Sequence, residues 1–133
     1  MVDNADKIAI SFDYDFYLQI GLGKNKWLKY ADGRTKFLDM LLTDNILLET
    51  KSHHLLGCAV PQEFGWYRGY KFIESIDTSN PVMAALEEMW YTEAGLTEKP
   101  KANMNDYFYM LGDQINWDYL TNNLYKFRDI NGF

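Results

Sequence analysis

The sequence predicts an α+β domain: a small antiparallel sheet, made of an N-terminal hairpin plus a central strand, packed by three or four helices that lie mostly toward the C-terminus. Three observations carry that expectation. Apolar residues alternate strictly from Ile8 to Ile20, the spacing turns helical from Phe37 to Leu42, and a helix with start and stop signals opens at Pro81. Strands ahead of helices is the order of a fold that stacks helices on one face of a small sheet. With 133 residues, 47% of them hydrophobic and 24% charged, the chain has material for one core and is read as a single domain, 1–133.

Ile8, Ile10, Phe12, Tyr14, Phe16, Leu18 and Ile20 are separated by Ala9, Ser11, Asp13, Asp15, Tyr17 and Gln19, the period of a half-buried strand. Gly21 to Lys26 reads as a loop, and Trp27-Leu28-Lys29-Tyr30 as the returning strand of a hairpin before the Ala31-Asp32-Gly33 turn. Phe37, Leu38, Leu41 and Leu42 mark one face of a helix ending near Thr43-Asp44-Asn45. The apolar runs Ile46-Leu47-Leu48 and Leu55-Leu56 fit strand or helix equally. Pro61 to Gly69 reads as a loop pinned by Phe64, Trp66 and Tyr67, and Tyr70 to Ile76 as a strand. The next helix has Ser79 or Asn80 as N-cap, Pro81 at its first position, Val82, Leu86, Met89 and Glu93 along one line, and Gly95 past its end. Leu96 to Asn105 is a connection. Tyr107 to Leu111 and then Ile115, Trp117, Leu120, Leu124 and Phe127 support one broken helix or two short ones, closed by Asn131-Gly132.

Thirteen Lys and Arg against nineteen Asp and Glu give a net charge of −6, so the chain has no positive field with which to neutralise phosphates, and no direct nucleic-acid partner is expected. No stretch approaches the roughly 18 apolar residues of a membrane span. Met1 to Lys7 lacks the basic and apolar regions of a secretory signal, and the single cysteine, Cys58, cannot form an internal disulfide. A soluble, cytoplasmic protein is the expectation.

Gly21-Leu22-Gly23-Lys24 follows a strand as a phosphate-binding loop does, but the full glycine spacing is missing and Asn25 stands where a metal-binding hydroxyl is needed, so a hairpin loop is the simpler reading. His53, His54 and Cys58, with Glu49 and Glu63 nearby, are zinc-type ligands, yet adjacent histidines diverge and no second pair completes a four-ligand set. A Cys–His nucleophile pair needs His54 and Cys58 on one helical turn, which Gly57 and Pro61 disfavour. The carboxylate pairs Asp13/Asp15 and Glu87/Glu88 fit solvated faces better than acid–base work. No catalytic residue, metal or cofactor is expected, and the chain does not read as an enzyme.

Charge and rings are informative together. Between Glu87 and Asp118 stand seven acidic residues against Lys99 and Lys101, and the same segment holds Trp90, Tyr91, Tyr107, Phe108, Tyr109 and Trp117, more rings than two short helices can bury. Exposed aromatic anchors in a negative surround suit docking of a basic protein. The expected partner-binding residues are Glu87, Glu88, Trp90, Tyr91, Asp106, Tyr107, Asp113 and Asp118. In these bulk properties the chain is similar to the immunity proteins that bacteria make against their own nuclease or other toxins, and to phage-encoded inhibitors of host enzymes. That resemblance implies an inhibitor that occludes the active site of a basic toxin or host enzyme. The alternative is a small-molecule-binding or enzymatic domain with a pocket lined by Trp66, Tyr67 and Tyr70 and with His54 as base. A third is a subunit whose exposed rings form a homo-oligomer face.

Overall fold

The computed structural model describes residues 4–11, 14–22, 32–44, 50–101 and 115–132. The chain divides into two compact units, the first comprising Met1–Cys58 and Gly69–Asp77, the second Ala59–Arg68 and Thr78–Phe133.

In the first unit, β1 (Lys7–Ser11), β2 (Ser52–Leu56) and β3 (Ile73–Asp77) form a sheet of order β1-β2-β3, with α1 (Tyr14–Gln19) and α2 (Asp32–Thr43) between the first two strands. Both pairings are parallel, with Ile10 opposite Leu55 and Leu55 opposite Ile76. The expected antiparallel sheet is therefore corrected to a parallel one. Parallel neighbours must be joined by a crossover of about a dozen residues or more, and the helical segment between Ser11 and Ser52 supplies it.

The alternating pattern misleads because β1 stops at Ser11 and the backbone then turns helical. Tyr17, expected on the polar face, is buried and donates its hydroxyl to Ser11 O at 2.6 Å. Leu18 and Ile20, expected in the core, are 53% and 45% exposed. The expected returning strand at 27–30 lies outside the described residues. Instead α1 rests on α2, with the Tyr17 and Phe37 rings 5.7 Å apart. A Cβ on Gly33 would come within 2.8 Å of Tyr17 Cγ, so only glycine allows this approach.

The second unit contains a 3₁₀ helix (Pro61–Tyr67), α3 (Asn80–Leu86) and α4 (Trp117–Asn131). Pro61 to Tyr67, read from sequence as a loop, is thus helical. The helix expected to run on to Glu93 ends at Leu86, because Glu88 adopts a left-handed φ of 52° and Met89 N–H turns back to Ala84 O at 2.7 Å. Gly95 closes a tight turn with Thr92 rather than a helix. α4 is capped at both ends. Asn116 Oδ1 accepts from the N–H groups of Asp118 and Tyr119, and Gly132, in the left-handed region, donates its N–H to Arg128 O at 2.8 Å.

The buried side of α4 is built on amides. Asn123 Oδ1 accepts Tyr91 N–H at 2.9 Å, and its Nδ2 donates to Met89 O at 2.9 Å and Pro81 O at 3.4 Å. At the C-terminal end of the helix, Asn131 Nδ2 donates to Pro61 O at 3.0 Å and Phe127 O at 2.9 Å. A buried amide whose partners are removed leaves groups with a desolvation penalty of about 1–3 kcal/mol each. Asn123→Leu, similar in size but without the amide, is therefore expected to lower unfolding free energy by about 3 kcal/mol in urea titration. A loss below about 1 kcal/mol would show that these bonds do not hold α4 in place.

Candidate functional site

Nine Asp and Glu against five Lys and Arg give the second unit a charge of −4, leaving −2 for the first. Of the residues expected to bind a partner, Asp106, Tyr107 and Asp113 lie outside the described residues. The others do not form one exposed set. Tyr91 is fully buried, with its hydroxyl on Asn80 Oδ1 and its N–H on Asn123. It is a core residue. Glu87 is half-buried and its carboxylate accepts Lys101 N–H at 2.9 and 3.0 Å. Glu88 and Asp118 are exposed, and Trp90 is 50% exposed with its ring edge-on to Tyr119 at 5.1 Å.

Away from the asparagine side, α4 presents a second feature. Trp117, Leu124 and Tyr125 are 66%, 51% and 58% exposed, and with Thr121 and Arg128 they recur at the spacing of one helix face. The Arg128 guanidinium lies 5.3 Å from the Tyr125 ring centroid and 3.3 Å from Asp129 Oδ1, holding that ring. On the flank, Lys126 pairs with Glu93. The sequence places Trp117 and Leu124 with Leu120 and Phe127 on a single apolar stripe. The signal that separates them is polar: Asn116, Leu120, Asn123, Phe127 and Asn131 also share a face, and it is this line that is buried at Asn123 and Asn131.

In the first unit the sheet has two unlike faces. Ile10, His53 and Leu55 are buried within the sheet. Lys7, Ala9, Ser11, Leu56 and Asp77 are exposed, and Ser52, His54 and Ser75 half-buried, on the other face. Parallel sheets are usually covered on both sides, so the exposure of this polar face among the described residues is distinctive. At its edge Lys7 pairs with Glu74 at 2.9 Å, and hydrogen bonding to that ammonium holds the carboxyl below the ordinary carboxylate range. His54 Nδ1 lies 2.8 Å from Ser75 Oγ, and its Nε2 lies 3.5 Å from Asp77 Oδ2.

At the C-terminal ends of β1 and β2, fully buried Arg34 donates to Ile10 O at 3.4 Å, Leu56 O at 3.1 Å and Gly57 O at 2.9 Å. Sequence reasoning passed over it, although it stands one turn before Phe37 and Leu38 on their own helix face. An open cavity of about 420 Å³ is lined by Leu42, Gly69, Tyr70, Lys71 and Phe72. Beside it Tyr70 donates to Asp39 Oδ1 at 2.7 Å, and burial, with that carboxylate, pushes its hydroxyl up to about 12, so it stays protonated at neutral pH. Of the alternative pocket, His54 and Tyr70 belong to the first unit, and Trp66 and Tyr67 to the second. Tyr67 is buried with its hydroxyl on Glu63 at 3.1 Å. Cys58 is a buried thiol, and among the described residues no group of three His, Cys, Asp or Glu side chains could hold a metal ion.

No protein family, curated protein or solved structure matches the chain. Among the described residues, no helix is long and apolar enough to cross a membrane.

His53 yields a pH dependence. Its Nδ1 lies 2.9 Å from Lys51 O, which fixes the proton there, and its buried Nε2 finds no partner among the described residues. Burial holds the imidazole below its ordinary 6.5. The unfolded chain then binds the extra proton more readily, so this contribution to stability is complete above about pH 6.5 and is lost as pH falls toward the folded-state value. The urea midpoint is expected to drop as pH is lowered from neutrality through that range, and to drop less in His53→Asn, which keeps a donor for Lys51 O. Equal drops in both proteins would assign the effect to other groups.

Proposed function

We propose that the protein is a stoichiometric binding module for a basic protein, and that the outer face of α4 is where that partner docks. The supporting observation is the trio Trp117, Leu124 and Tyr125, each more than half exposed on a helix whose opposite side is buried. Tryptophan and tyrosine are the residues that most often dominate binding energy once a partner desolvates them. Asp118 and Asp129 on the same helix, Glu88 and Glu93 on the same unit, and the unit's net −4 would steer a positively charged target toward it. Glu87 and Tyr91 take no part as anchors, since the first caps Lys101 N–H and the second is core. In its most specific form the module neutralises a nuclease-like toxin by covering the basic groove that would hold nucleic acid.

Titration calorimetry against a basic nuclease-type protein, taken first from any gene found adjoining this one, tests this reading. Nanomolar binding is expected, weakening as salt is raised, with Trp117→Ala and Tyr125→Ala each costing at least about 2 kcal/mol, roughly thirtyfold in Kd. Binding unaffected by either substitution would remove α4 from the interface. A homodimer in ultracentrifugation that Trp117→Ala dissolves would show that the face is instead covered by a second copy of the chain.

A further inference from the structure

The open polar face of the parallel sheet brings together a histidine, a serine and an aspartate, and it belongs to the other unit, so its chemistry is independent of the partner-binding reading. Ser75 and Asp77 stand two apart on β3 and therefore on one face. His54 stands on the same face of the neighbouring strand, opposite Ser75. This register is not what a regular ladder would give. His53 pairs with Ile73, so an unbroken ladder would set His54 against Glu74, but an irregularity between His53 and His54 advances β3 by one residue. Glu74 is thereby left to pair with Lys7, and Ser75 is brought to His54. Bulges of this kind re-aim side chains and recur beside active sites.

The hydrogen-bond polarity is self-consistent. Asp77 is fixed through Oδ1, which accepts Gly57 N–H at 2.9 Å, and its Oδ2 faces His54 Nε2 at 3.5 Å. A carboxylate there favours the proton on Nε2, leaving Nδ1 as a bare lone pair 2.8 Å from Ser75 Oγ. That is the arrangement of a nucleophile, a base and a group that orients the base, with the two ring nitrogens exchanged relative to the usual serine hydrolase order.

We propose that Ser75, His54 and Asp77 form a nucleophilic site that transfers acyl groups from small, short-chain esters. His54 Nδ1 would take the Ser75 proton as the Oγ–acyl bond forms and the bond to the leaving alkoxide breaks, and that proton leaves with the alcohol. Water then attacks the acyl-serine, giving up a proton through His54 to Ser75 Oγ and releasing the acid. Ser75 and His54 are the catalytic residues, and Asp77 is a positioning residue. The site stands on a sheet face and, among the described residues, offers no walls to grip a long acyl chain, so short acyl groups are its expected substrates.

A fluorophosphonate probe tests this on the whole chain, because attack by Oγ forms an O–P bond, expels fluoride and leaves a permanent adduct. Mass spectrometry of the digested wild-type protein is expected to place a single adduct on Ser75. The rate should fall by about a hundredfold or more in Ser75→Ala and about tenfold or more in His54→Gln, the range that loss of a nucleophile or a general base produces. Asp77→Asn keeps an oxygen acceptor for Gly57 N–H but offers a donor to Nε2, which moves the ring proton to Nδ1. It should therefore slow labelling about tenfold or more with the melting temperature unchanged, and a merely structural role for Asp77 would instead move the melting temperature. p-Nitrophenyl acetate should give a nitrophenolate burst stoichiometric with the chain. No adduct on native protein, an adduct elsewhere, or labelling no faster than in urea-unfolded chain overturns the proposal, even if Ser75→Ala fails to fold.

Discussion

A buried guanidinium organises the first unit. Parallel strands end at the same edge of their sheet, so carbonyls near the ends of β1 and β2 converge there. Arg34 meets them with the forked donors a lysine lacks, reaching Ile10 O, Leu56 O and Gly57 O from the first turn of α2. Its consequence extends along the chain. Gly57, whose carbonyl accepts from Arg34, gives its N–H to the backbone and side chain of Asp77. Asp77 in turn faces His54, and His54 meets Ser75. The polar face is thus tied to the core through a succession of bonds that begins at a buried charge, and withdrawing that charge would free the strand ends and the aspartate together.

The second unit uses the opposite device, neutral amides in place of a charge. Asn80, Asn123 and Asn131 each satisfy backbone groups that helix ends and turns leave open. Asn80 Nδ2 donates to Ala59 O, and its Oδ1 accepts the Tyr91 hydroxyl. Asn123 holds the chain just past the left-handed Glu88, where α3 has ended and no regular hydrogen bonding continues. Because these amides share the inner side of α4 with Leu120 and Phe127, the remaining large apolar residues, Trp117, Leu124 and Tyr125, are left on its outer side. The exposed Trp117, Leu124 and Tyr125 result from how the core is satisfied, not from a surplus of hydrophobic residues.

Helix starts and the Gly132 stop were legible from local chemistry, whereas the end of α3, read at Gly95 but found at Leu86, and the long-range pairing were not. The Asn131-Gly132 close of α4, the proline-led start of α3 and a strand before it depend on neighbours within a few residues. The parallel sheet depends on β2, a five-residue Ser-His-His-Leu-Leu segment whose strand character comes from its two partners and not from any pattern of its own. The alternation from Ile8 to Ile20 was real but ambiguous, since Tyr14 and Leu18 are also one helical turn apart, and burial of Tyr17 decides for the helix. Of the candidate site, His54 was visible as a possible base. Ser75 and Asp77 were not, because a shift in register brought them there and no spacing in the sequence encodes it.

The aromatic richness of the chain separates by residue type. Buried Tyr17, Tyr67 and Tyr91 each have the hydroxyl bonded, to Ser11 O, Glu63 and Asn80, so they serve as core residues whose one polar atom is satisfied. Tryptophan behaves otherwise: Trp66, Trp90 and Trp117 are all exposed, and Trp27 lies outside the described residues. Leaving large rings in water forgoes about 25 cal/mol for each Å² of apolar surface that burial would have removed. The same forgone energy becomes available to whatever covers them, which is why the outer side of α4, and not the buried Tyr91, is the surface on which the partner-binding reading rests.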